Sequence, residues 1–216
     1  MYSIEDLKES GLRIAVDKPG FSYGHDAVLL AGFAGRVKAG EHLLDLCCGC
    51  GILALLLEKR TSAKVSAVDI RPEACALCRY SAELNGQDIR VLEADLCSLK
   101  LGPDEPPYDA IVCNPPYFSG GTPSPYPERQ LSTHQDAAGI ADVAACAKRL
   151  LKNGGRLFLC YPAQSMAPCM AALVNEGLQP KRLMPVAAGD KPPYLILIEA
   201  RKGGGEGLIW EKTICL

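Results

Sequence analysis

Apolar and polar positions along the chain follow two rhythms. Short apolar runs at HLLDL (42–46), KVSAVD (64–69), IRVLEAD (89–95) and YDAIVCN (108–114) each predict a strand. Helical periodicity follows the first of them at about 51–60. A second helix opens at Pro72, whose fixed φ and missing N–H suit a first turn. A Pro/Gly-rich linker separates the third and fourth strands. Residues Asp136 to Leu151 again show helical spacing, and Asn153-Gly154-Gly155 reads as the stop before a fifth strand, RLFLCY. Strands apolar throughout, alternating with helices, predict a parallel sheet covered on both faces.

Beyond the fifth strand the pattern predicts a helix from Ala163 to Glu176, then two strand-like stretches, LQPKRLMPVAA and PYLILIEARK. No helical segment fits between those two, so they are expected to pair antiparallel at the sheet edge. The tail GGGEGLIWEKTICL adds a flexible turn and one more strand-like segment. The expected fold class is α/β, a doubly wound seven-stranded sheet, mostly parallel with an antiparallel edge strand. A chain of 216 residues suits one domain, divided here into residues 1–40 as an N-terminal extension, 41–202 as the core and 203–216 as a tail.

Composition narrows the class without specifying chemistry. Apolar residues at 48% and charged residues at 22% are ordinary for a globular protein. The apolar runs fall short of the roughly 18 residues a membrane span needs, and MYSIEDLKES is polar and acidic where a signal peptide would be basic then apolar, so a cytoplasmic protein is expected. Eleven cysteines, an odd number, cannot all pair within the chain, which fits a reducing compartment. Cys75-x-x-Cys78 could hold half a zinc site, but no second pair or spaced histidine pair completes it. The thiols therefore read as small buried hydrophobes, and no metal is expected. A net charge of −2 announces no global affinity for nucleic acid. A local basic patch would suffice, and Arg13, Lys18, Lys181, Arg182 and Lys191 are its candidates.

Chemistry concentrates at the expected carboxyl ends of the strands. In LLDLCCGCGILALLLEKR the first strand closes on Asp45, and Gly49 and Gly51 fall in the turn that opens a helix. Glycines there let backbone N–H groups approach a ligand, and a helix N-terminus adds favourable polarity. The second strand ends in Asp69, followed by Ile70, where an acidic side chain can accept both ribose hydroxyls of a nucleoside. The third ends in Asp95-Leu96. Three acids at three successive strand ends suggest a nucleoside-type cofactor site, although each could instead cap the helix after it.

A dinucleotide enzyme competes with this reading. Gly49-x-Gly51-x-x-Ala54 satisfies the glycine-or-alanine form of the dinucleotide fingerprint, so an NAD-dependent dehydrogenase stays open. Asp45 would repel a pyrophosphate, and the late antiparallel pair also favours a different cofactor.

The segment DAIVCNPPYF is the most specific feature. Asn114-Pro115-Pro116-Tyr117 ends an apolar strand with two residues that cannot donate a backbone hydrogen bond. Together with DLCCGCG, AVD and EADL, it resembles in order and spacing the motifs of class I S-adenosylmethionine-dependent methyltransferases with a Rossmann-like fold. The resemblance implies S-adenosyl-L-methionine as cofactor, S-adenosyl-L-homocysteine as product, and methylation of a planar amino group such as adenine N6, guanine N2, cytosine N4 or a glutamine amide. It further implies that Asp26, Asp45, Gly49, Gly51, Asp69, Ile70, Asp95, Leu96 and Asn114 border the cofactor. Asn114 and Pro115 would accept the two N–H hydrogens of the amine, held by Pro116, while Tyr117 and Phe118 stack on its ring.

Phe21, Gly24, Asp26, Leu29 and Leu30 resemble the N-terminal signature of bacterial tRNA(Val) adenine-N6 methyltransferases, and Arg129 with Thr133-His134 resembles their segment after the tetrapeptide. This likeness implies that the N-terminal element closes the cofactor pocket, that Arg129 and His134 contact substrate, and that the partner is a tRNA methylated beside its anticodon. Asp26 could equally be the N-cap of AVLLAGFA. A guanine-N2 methyltransferase of ribosomal RNA and a glutamine methyltransferase of release factors use the same tetrapeptide. The latter usually carry a separate helical domain, and only about 40 residues precede the first strand here. A cofactor-binding protein without transfer activity is the remaining alternative. Monomer and dimer are both compatible with the sequence.

Overall fold

A computed structural model describes residues 2–7, 10–17, 24–116 and 138–216. In chain order the elements are β1 (Tyr2–Leu7), β2 (Leu12–Asp17), α1 (His25–Phe33), β3 (His42–Leu46), α2 (Ile52–Thr61), β4 (Lys64–Asp69), α3 (Pro72–Asn85), β5 (Ile89–Glu93) and β6 (Tyr108–Cys113). There follow α4 (Ile140–Leu150), β7 (Leu151–Pro162), α5 (Met166–Asn175), β8 (Leu178–Ala187), β9 (Leu195–Lys202), β10 (Ile209–Trp210) and β11 (Ile214–Cys215). The long strands order as β8-β9-β7-β6-β3-β4-β5, and the two-residue strands β10 and β11 both pair with β8.

The expected edge pair is present: β8 and β9 run antiparallel. The reversed strand is β9, which is also antiparallel to β7 and stands between β7 and β8. The parallel part is β7-β6-β3-β4-β5.

Period-two alternation within these strands splits the core between two faces. Leu43, Ala110, Val112, Phe158 and Cys160 belong to one cluster with residues of α1, α2, β1 and β2. Leu44, Leu46, Ile111, Cys113, Leu157 and Leu159 pack with α4 and α5. Helix α2 is buried from Ile52 through Leu57, as an apolar helix must be when other elements cover it on every side. Each fully buried leucine contributes about 1.5–3 kcal/mol, so this helix is fixed firmly under the edge where β3 ends.

Several boundaries depart from the sequence pattern. Helix α4 begins at Ile140, with the Asp142 carboxylate accepting from the Gly139 amide at 2.8 Å; Asp136 lies outside the described residues. Asn153-Gly154-Gly155 is not a helix stop. The helix passes directly into β7 at Leu151, and these residues form a bulge: Tyr108 pairs with Leu151 but Ala110 pairs with Arg156. Gly154 takes φ +75°, the conformation that lets the bulge form. The N-cap of α1 is Gly24, not Asp26, which sits in the first turn.

The N-terminal residues form an unforeseen antiparallel hairpin, β1 with β2, laid on α3. Asn85 anchors it twice, accepting from the Arg13 amide at 2.9 Å and donating to the Arg13 carbonyl at 2.6 Å. The Ala15 amide donates to Ser81 Oγ at 3.0 Å. Side chains of a helix thus satisfy backbone groups that an edge strand would leave open.

Candidate active site

The carboxyl ends of β3, β4, β5 and β6 bring together most of the residues singled out from sequence. After β3 the chain turns at Cys47 (φ +65°), Gly49 (φ +55°) and Gly51 (φ +88°) before entering α2. A Cβ on Gly49 would meet nothing within 4 Å, so this glycine faces open space. A Cβ on Gly51 would lie 2.5 Å from Cys78 Sγ, so α3 and the turn approach too closely for any side chain there. Cys47 holds a left-handed conformation despite its side chain, a state costing roughly 1–2 kcal/mol relative to an ordinary backbone.

Asp69, the last residue of β4, is 4% exposed and ties this edge together. Its Oδ2 accepts from the Gly49 amide at 2.9 Å. Its Oδ1 accepts from the Arg71 amide and from Arg71 Nε, both at 3.0 Å. Arg71 was not among the residues expected here. Its signal lay in the sequence as the residue before the helix-opening Pro72, where its extended backbone turns the guanidinium back toward the strand end. Beside Asp69, Ile70 is 59% exposed, an apolar face presented at the edge.

Asp45 lies deeper than expected. It is fully buried within β3, and its Oδ2 accepts from the Ala54 amide at 3.0 Å, satisfying one of the free N–H groups at the start of α2. Oδ1 is buried without a hydrogen-bond partner among the described residues. Burial pushes this carboxyl up to about 8, against the pull of the Ala54 amide, so at neutral pH it is largely protonated. The argument that Asp45 repels a pyrophosphate therefore fails, and the acidity of the edge falls to Asp69 and Asp95. Asp95 lies two residues beyond β5, exposed, with Oδ1 accepting from the Cys97 amide at 2.9 Å, while Leu96 is buried. Only Asp45 meets the capping alternative, bonding an amide of the helix that follows it; Asp69 accepts from Gly49 and Arg71 and Asp95 from Cys97, none of them inside a helix.

Strand β6 ends at Cys113, and Asn114, half-buried, is the first residue beyond it. Pro115 is buried and Pro116 exposed. The Cys160 thiol donates to Asn114 Oδ1 at 3.0 Å, a contact sequence reading missed because the partner sits 46 residues further along. Asp26 is half-buried in the first turn of α1; burial raises its carboxyl above the usual range, opposed by His25. Tyr117, Phe118, Arg129 and His134, and Phe21 of the N-terminal signature, lie outside the described residues. All eleven cysteines are free thiols, Cys75 and Cys78 included, and among the described residues no group of His, Cys, Asp and Glu is arranged to hold a metal ion.

A mostly parallel sheet with one reversed strand, and a glycine turn beyond β3, is the fold of solved methyltransferases. The chain belongs to the methyltransferase small domain family, whose model matches residues 25–177. It is 32% identical over 185 residues to a tRNA1(Val) (adenine(37)-N6)-methyltransferase of Parabacteroides distasonis, covering 85% of this chain and 78% of that protein. It is 30% identical over 187 residues to a protein of the same name from Shewanella amazonensis, covering 85% and 79%. Two solved structures share the fold. A methyltransferase from Pyrococcus furiosus has a TM-score of 0.67 at 20% identity over 90% of each chain. A Thermus thermophilus 16S rRNA guanine-N2 methyltransferase, solved with S-adenosylmethionine and guanosine, has 0.65 at 20% identity over 94% of this chain and 50% of its own.

Proposed function

We propose that the protein methylates the exocyclic N6 of an adenine in the anticodon loop of tRNA(Val), acting in the cytoplasm as one catalytic unit over residues 1–216. The observation that carries the reading is Asn114: a half-buried amide at the exit of β6, followed by two prolines, on the edge that also presents Gly49, Asp69 and Ile70. The relatives named for this reaction support the choice of substrate.

S-adenosylmethionine, when bound, supplies an electrophilic methyl group on a sulfonium. Asp69 would hold the ribose hydroxyls, Ile70 would cover the adenine face, and Asp95 with Leu96 would border the ring edge. Gly49 and Gly51 would admit the amino-acid portion over the turn that Asp45 braces from below, and Asp26 would close the pocket from α1. An exocyclic amine is a weak nucleophile because its lone pair is delocalised into the ring. Acceptance of its two N–H hydrogens by the Asn114 side-chain carbonyl and the Pro115 backbone carbonyl turns that lone pair toward the methyl group. Pro115 and Pro116 lack N–H groups and hold φ, so the acceptors stay aimed. Tyr117 and Phe118 would stack on the extruded base, and Arg129 and His134 would contact the RNA.

The test is incubation with isotopically labelled S-adenosylmethionine and unfractionated bacterial tRNA, followed by digestion and mass identification of the product. N6-methyladenosine is expected. A labelled guanosine, or label incorporated only into protein, would overturn the assignment.

A further inference from the structure

We infer that Cys160 is a positioning residue for Asn114: its thiol fixes the side-chain amide with the oxygen turned to accept, and so acts on turnover and not on cofactor affinity. This rests on the proposed reading of Asn114 as an acceptor of the substrate amine.

The two residues are brought together by strand register. Cys113 of β6 pairs with Leu159 of β7, so Asn114 and Cys160 stand side by side one step further along. Cys160 is fully buried and belongs to the same face of the sheet as Val112 and Phe158, the face that carries α2 and the glycine turn. From there its sulfur reaches Asn114 Oδ1 at 3.0 Å. Asn114 follows the last residue of β6, and Pro115 after it contributes no N–H.

The two ends of a carboxamide have nearly the same shape and opposite hydrogen-bonding character. Only with oxygen presented does Asn114 offer an acceptor to an amine; a half-turn about the last side-chain bond would present N–H groups to N–H groups. A thiol proton favours the oxygen end, because S–H to carbonyl is a better pairing than N–H to a thiol sulfur, a weak acceptor. A carbonyl oxygen has two lone pairs, so acceptance from Cys160 does not by itself bar a second donor. Cys160 itself is fully buried.

A buried cysteine is ordinarily a small hydrophobe. The two roles rank substitutions in opposite orders, which makes them separable. As a packing residue, Cys160→Val and Cys160→Ala should be better tolerated than Cys160→Ser, which buries a hydroxyl. As a donor to Asn114, Cys160→Ser should keep kcat whereas Cys160→Val and Cys160→Ala lower it by about three- to tenfold, the range of one lost hydrogen bond.

The experiment measures kcat and KM with S-adenosylmethionine and unfractionated tRNA, S-adenosylhomocysteine affinity by calorimetry, and Tm for all three variants, beside Asn114→Ala. The expected result is a fall in kcat for the valine and alanine variants at unaltered S-adenosylhomocysteine affinity, with serine restoring kcat despite the lowest Tm. Values of kcat that simply follow Tm, or a valine variant with full kcat while Asn114→Ala is inactive, would overturn the inference and leave the reading of Asn114 intact. Full activity in Asn114→Ala would instead remove the reading beneath it. If the valine variant does not fold, the side-chain amide resonance of Asn114 in Cys160→Ala decides: a displaced resonance supports the contact, and one identical to the unsubstituted protein refutes it.

Discussion

The backbone amide of Gly49 donates to Oδ2 of Asp69 at 2.9 Å, joining the glycine turn after β3 to the end of β4. The carboxylate proposed to hold the cofactor ribose is thus also what shapes the turn beneath the cofactor's amino-acid portion. Asp69→Ala removes both, and a lost charge-assisted hydrogen bond of about 1.5–3 kcal/mol corresponds to a fall of roughly ten- to a hundredfold in affinity. Calorimetry with S-adenosylhomocysteine checks this, and equal affinity would count against the ribose assignment.

Asn114→Ala separates binding from turnover. In the proposed role the side chain acts on the amine and not on the nucleoside, so cofactor affinity should hold while single-turnover methylation slows by about a hundredfold, the cost of a misplaced reacting group. An unchanged single-turnover rate would refute the role.

Gly51→Ala combines two penalties: φ +88° is strained for any side chain, and the new Cβ would lie 2.5 Å from Cys78 Sγ. A loss of about 2–4 kcal/mol is expected from strain and overpacking together. Adding Cys78→Ala removes the clash but not the strain, so urea denaturation of the double variant should show partial recovery. Complete recovery would mean that the backbone at Gly51 is unstrained.

Asp45 makes stability depend on pH in a direction opposite to most carboxylates. Its carboxyl titrates at about 8 in the folded chain and at the ordinary 3.8 when unfolded. Between those values the folded state holds a proton that the unfolded state has lost, so stability declines as pH rises from about 4 to about 8 and levels off above. Asp45→Asn has no such proton. Relative to the unsubstituted protein it should gain stability on moving from pH 5 to pH 8, measured by urea unfolding at both. A difference independent of pH would show that Asp45 is ionised throughout.

Arg182 is buried between Glu199 and Glu211, at 2.6 and 2.5 Å, and its guanidinium lies 4.4 Å from the centre of the Phe33 ring. Through Glu211 it ties the tail to β8 and β9. Arg182→Ala leaves two carboxylates without their cation and should cost about 3–5 kcal/mol, whereas Arg182→Met with both glutamates made Gln should cost less. Chemical denaturation of the two variants makes the comparison.

The parallel sheet was legible because its strands are apolar on both faces and bounded by turn residues; β3 and β4 begin and end where the pattern placed them. The site was legible as an edge, since Asp69, Ile70, Gly49 and Asn114 follow strands whose direction the pattern dictates. What lay beyond the sequence was contact at long separation. Arg13 with Asn85, 72 residues apart, makes the N-terminal hairpin part of the fold, and Cys160 with Asn114 depends on the register of two strands. Asn153-Gly154-Gly155 misled because glycine with positive φ serves a bulge as readily as a helix end. Burial of Asp45 favours its neutral form, a property that residue type alone does not carry.

The reversal of β9 bears on the order in which the chain assembles. Strand β8 leaves the ribosome before β9, yet among the described residues it meets the rest of the sheet only through β9, and its other partners, β10 and β11, are later still. During synthesis β8 therefore waits with both edges unpaired while the five parallel strands before it can already close. A chain cut after residue 190 would carry β8 packed on α5 but without a strand neighbour, an open edge that aggregation can exploit.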